Sequence, residues 1–163
     1  MNAFIVLFIA VLVIVAVVAG KKSYDNGKRL AEEGKISARK GTFYEDKEIF
    51  TTTASYEEIR QKIKEADLAD TKADIQFDFE GRKTIFFQSS DAWNAVLEQC
   101  EEKEGANLFQ FYFPAWRTSR NGIVNTMSMN VLVTAIEKII LSLDPSATVE
   151  SHKMQIKTKS KFF

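Results

Sequence analysis

With 163 residues, the chain has room for one folded domain and an appendage rather than two full domains. Its 22 basic and 22 acidic side chains cancel to a net charge of +0, leaving no overall field to gather nucleic acid. A single cysteine, Cys100, excludes an intramolecular disulfide, and with a single histidine it provides no ligand set for zinc.

The chain opens on Ala3–Ala19, AFIVLFIAVLVIVAVVA, seventeen residues with no polar side chain. As a helix this run would be about 25 Å long, close to the ~30 Å of a bilayer core. A cleaved signal peptide would carry a basic start, and Met1-Asn2 has no side-chain charge, although Val17-Val18-Ala19 is a passable cleavage site. Lys21, Lys22, Lys28, Arg29, Lys35, Arg39 and Lys40 all follow the run. Positive charge stays on the cytoplasmic side, so the expectation is an uncleaved, single-pass anchor over residues 1–20 in the cell membrane. The N-terminus then lies outside and the rest in the cytoplasm.

Residues 21–46 form a basic link punctuated by glycine. Gly20, Gly27, Gly34 and Gly41 recur every seven residues, with Ser23, Ala31 and Ala38 between them. On a continuous helix, Gly27, Ala31, Gly34, Ala38 and Gly41 would make a stripe of small residues, a possible homodimer contact. Each mid-helix glycine costs about 1 kcal/mol against alanine, which favours a helix that ends near Glu33 with Gly34 as its cap.

The folded domain is expected over residues 47–163. Lys47–Ala54 is β-branched and reads as a strand, and Ser55-Tyr56-Glu57-Glu58 is a capping box that opens a helix with Tyr56, Ile59, Ile63 and Ala66 on one face. Asp74–Glu80 alternates, placing Ile75, Phe77 and Phe79 inward and Asp74, Asp78 and Glu80 on the wet face. Glu80-Gly81-Arg82 turns into a strand over Lys83–Ser89. Trp93–Cys100 fits a strand with Trp93, Ala95 and Leu97 on one side, or a helix burying Trp93, Val96, Leu97 and Cys100; the strand is preferred. Asn107–Phe113 is a strand, Arg117–Gly122 a loop, and Asn125–Leu143 a helix with Leu132, Ile136, Ile139, Ile140 and Leu143 toward the core. Asp144-Pro145 stops that helix, and Val149–Lys161 is a last strand.

The order β-α-β-β-β-β-α-β predicts an α+β domain, an antiparallel sheet covered on one face by two helices. It is similar in element order to TATA-binding-like and helix-grip domains. A helical 91–103 would instead give a ferredoxin-like βαββαβ core with an αβ extension.

No glycine-rich phosphate loop, metal-ligand spacing or nucleophile–base pair stands in the chain, so neither cofactor nor catalytic residue is expected. Trp116, Arg117 and Arg120 are the candidate contact for a partner, an anionic headgroup or a peptide carboxylate. Lys153, Lys157, Lys159 and Lys161 form a basic row that faces either the membrane or the acidic row of residues 74–80 across strands. These features predict a non-catalytic interaction or accessory domain, tethered to the bilayer through residues 3–19 and binding another protein at the cytoplasmic face. A second expectation is a lipid or apolar ligand held between sheet and helices, with an enzyme third.

Overall fold

A computed structural model describes residues 3–90, 92–103, 105–120 and 122–154, and divides the chain into two compact units, Met1–Ser37 and Ala38–Phe163. The first unit is built on helix α1, Ala3–Glu32. It ends where the sequence places a cap: Gly34 takes φ 66°, a left-handed value that glycine adopts without strain. The Gly34 N–H donates to the Ala31 carbonyl at 3.0 Å and the Lys35 N–H to the Leu30 carbonyl at 2.7 Å, closing carbonyls the helix leaves open. The continuous stripe of small residues is therefore corrected. Gly34, Ala38 and Gly41 lie beyond the last helical turn.

In the second unit the elements run β1 (Asp46–Thr52), α2 (Tyr56–Glu65), β2 (Asp74–Phe77), β3 (Thr84–Ser89), β4 (Trp93–Lys103), β5 (Ala106–Trp116), β6 (Thr118–Ser119), β7 (Gly122–Ile123), α3 (Thr126–Leu143) and β8 (Thr148–Lys153). Six strands form one antiparallel sheet in the order β2-β3-β4-β5-β1-β8. Residues 93–103 are strand, so the ferredoxin-like alternative falls. The loop expected at Arg117–Gly122 is a short hairpin, Thr118 facing Ile123 and Ser119 facing Gly122.

Alternation along the strands explains which face is covered. Phe50, Ile85, Phe87, Trp93, Ala95, Leu97, Phe109, Phe111 and Phe113 are buried together with Ile59 and Ile63 of α2 and Met129, Leu132, Ile136 and Ile140 of α3. Both helices thus lie on one face of the sheet. α2 opens on its capping box: Ser55 Oγ accepts from the Glu58 N–H, and the Glu58 carboxylate accepts from the Ser55 N–H at 2.8 Å. By length and composition α3 could cross a membrane, but seven of its residues are buried, as suits the core helix of a folded domain.

Two expectations at the sheet edges are corrected. The strand expected over Asp74–Glu80 stops at Phe77, because Asp78 turns left-handed at φ 54° and Glu80 at φ 56°. Asp78 then accepts from the Tyr56 hydroxyl at 2.9 Å and pairs with Arg60 of α2 at 2.9 Å, so it serves the helix side instead of the wet face. Phe79 stacks on Phe86, ring centres 4.7 Å apart, rather than entering the core. The last strand, moreover, pairs with β1, at the edge opposite β2. Lys153, the lysine of β8, therefore cannot face the acidic row of residues 74–80.

Candidate functional site

At one end of the sheet the β3–β4 turn meets the exit of β5. The Ala92 N–H donates to the Ser89 carbonyl at 2.7 Å and the Arg117 N–H to the Ala92 carbonyl at 2.7 Å, so backbone bonds lock turn and exit together. Strand register sets Gln88 opposite Asn94 and Trp93 opposite Trp116. Between these pairs opens a cavity of about 380 Å³, lined by Gln88, Asn94, Trp93, Trp116 and Arg117 with Ala92 and Ala115.

Its walls are held unequally. Trp93 is buried and its indole N–H donates to Ser128 Oγ at 2.9 Å, which fixes the ring against α3. Trp116 is half-buried and meets the Tyr44 ring edge-on at 5.2 Å. Arg117 is exposed, and its guanidinium has no ion pair among the described residues. The side-chain amides of Gln88 and Asn94 likewise have no hydrogen bond among the described residues. Of the expected trio, Trp116 and Arg117 line this cavity, whereas Arg120, just after β6, does not. Arginine beside two carboxamides can grip a carboxylate with a fork of donors and satisfy a peptide group with both donor and acceptor.

A second polar cluster lies beside the first strand. Arg39 donates to Glu48 Oε1 at 3.0 Å and to Asn130 Oδ1 at 3.1 Å, and also to the carboxylate of Glu137 on α3. The Arg39 and Glu48 side chains are each 12% exposed, and Glu48 Oε2 is sealed from solvent without a hydrogen-bond partner. Burial pushes the Glu48 carboxyl up to about 7; the Glu137 and Asp46 charges add to this, and Arg39 opposes it. A cavity of about 350 Å³ adjoins the cluster. Two carboxylates share one guanidinium here, an arrangement that pins residues at the start of the second unit onto β1 and α3.

The basic row is split. Lys153 ends β8 opposite Asp46 of β1, whereas Lys157, Lys159 and Lys161 fall outside the described residues. His152 is exposed, 3.4 Å from the Glu150 carboxylate, and no group of acidic, histidine and cysteine side chains suited to a metal occurs among the described residues. Neither Gln88 nor Asn94 was singled out in the sequence, where they read as ordinary outward strand positions. Arg39 read only as one of seven topology charges. No protein-family model matches the chain, and no curated protein resembles it in sequence.

Proposed function

We propose that the protein is a non-catalytic interaction domain tethered to the cell membrane by α1, with its folded unit offered to another protein at the cytoplasmic face. One observation carries the tether: Val11, Leu12, Ile14, Val15, Val17 and Val18 of α1 are between 51% and 64% exposed. Apolar side chains left in water forgo roughly 25 cal/mol per Å², and a contiguous patch of this kind marks a surface made to be covered. Lipid suits it, because the apolar run is long enough to span with modest thinning and is followed at once by Lys21 and Lys22. The cavity beside Trp116 and Arg117 supports the interaction role, since it combines half-buried aromatic surface with polar groups that have no partner among the described residues. The layer between sheet and helices, filled by phenylalanine, lends less support to an apolar ligand there.

Alkaline carbonate extraction of membranes from cells expressing the full chain tests the tether. The protein should stay in the pellet, and the double variant Leu12→Lys, Val15→Lys should move to the supernatant. Extraction of the unmodified chain would end the proposal.

A further inference from the structure

Arg117, Gln88 and Asn94 approach one cavity from three strand ends, and each arrives with its hydrogen-bonding capacity unspent among the described residues. Resting on the tethered-domain reading, we propose that this cavity binds an acidic side chain, Asp or Glu, carried on an extended segment of a partner protein. Arg117 takes the carboxylate, and Gln88 and Asn94 take the flanking peptide groups.

Charge comes first. Among the described residues Arg117 is the charged one lining the cavity, with Arg120 in the hairpin that follows it. Asp74 lies directly opposite Gln88 on the neighbouring strand and is not one of the lining residues. Among the described residues the wall holds no carboxylate, so on these an anion meets only Arg117. The amides then decide which anion. A fully ionised phosphate offers acceptors alone and would leave both carboxamide oxygens unmatched, whereas a peptide group presents one N–H and one C=O. Gln88 and Asn94 are cross-strand neighbours, so their amides sit side by side as successive peptide groups require. Volume fits as well. About 380 Å³ lies at the small end of ligand sites, enough for an acidic residue and its neighbours and too little for a large cofactor. Trp93 and Trp116 supply apolar wall for the peptide's own carbon chain.

Both tryptophans of the chain line this cavity, so its occupancy can be read from intrinsic fluorescence. The full chain in neutral-lipid nanodiscs is titrated with an array of pentapeptides, each with a central Asp or Glu, beside its Asn or Gln counterpart. Acidic members should shift the emission and bind roughly tenfold tighter than their amides, the scale of a charge-assisted bond. Arg117→Gln should erase that preference, while Asn94→Ala should weaken acidic and amide peptides alike. Equal binding of the two sets, or no response from any peptide, overturns the proposal. So does an emission shift on adding anionic lipid alone, which would make the cavity a headgroup site. The tether is read separately by extraction, so its failure leaves the peptide titration interpretable.

Discussion

Replacing Glu48 by glutamine should stabilise the folded unit at pH 8 and leave it little changed at pH 5. The Glu48 carboxyl is raised from 4.5 to about 7, first because burial strips its water, then because Glu137 repels it; Arg39 recovers part of the cost. A carboxyl that holds its proton more tightly folded than unfolded favours the folded state in acid. That stability is present below about 4.5 and drains away as pH rises through about 7. Each pKa unit is worth about 1.4 kcal/mol, so the full difference is about 3 kcal/mol, of which about 2 kcal/mol is lost between pH 5 and pH 8. Glutamine keeps the shape and an acceptor for Arg39 and carries no charge to desolvate. Urea unfolding of the full chain in detergent micelles at pH 5, 6, 7 and 8 reads the effect as the gap between variant and parent, which cancels the titrating groups that are not coupled to Glu48. A gap that widens toward pH 8 with the variant ahead is the expected result. A constant gap, or a variant less stable at pH 8, would refute the account of the Arg39 cluster.

Ile136 of α3 is fully buried against the sheet, so Ile136→Ala should cost about 2–5 kcal/mol in the same unfolding assay. Tyr56→Phe should cost about 1–2 kcal/mol by leaving Asp78 with Arg60 alone, and Asp78→Ala added to it should cost less than the two singles together. Asp144 accepts from Thr52 Oγ1, the Thr53 N–H and both donors of Ser146, and these bonds hold its carboxyl below the usual range. Its contribution is present above the ordinary carboxylate range and fades in strong acid, so the deficit of Asp144→Asn, measured by thermal melts, should shrink as pH falls.

Local rules were readable where one element answers to its own residues. Ser55 and Glu58 form a capping box in any context that lets the next turn be helical, and the Gly34 cap follows from glycine's freedom at positive φ. The alternation in Trp93–Leu97 likewise marked the inward side of β4. Where tertiary partners compete, the pattern misled. Asp74–Glu80 alternates as a strand should, yet Tyr56 and Arg60 draw Asp78 toward α2 and the strand ends at Phe77. Acidic and basic rows looked complementary, but β5 occupies one side of β1 and leaves the other for β8, which sets Lys153, the described lysine of the basic row, across the sheet from β2. The Arg39–Glu137 contact joins residues 98 apart, a separation at which no periodicity carries a signal. Gln88 and Asn94 became visible as a pair only through strand register.

Orientation across the bilayer is the most direct test of the central claim. In a Cys100→Ser background, one cysteine is introduced at Asn2 and, in a separate variant, one at the exposed Thr118 of the β6–β7 hairpin. Intact cells expressing each variant are treated with a membrane-impermeant maleimide, before and after the membrane is opened. Asn2→Cys should be modified in intact cells and Thr118→Cys only once the membrane is opened. Modification of Thr118→Cys in intact cells would place the folded unit outside and contradict the account.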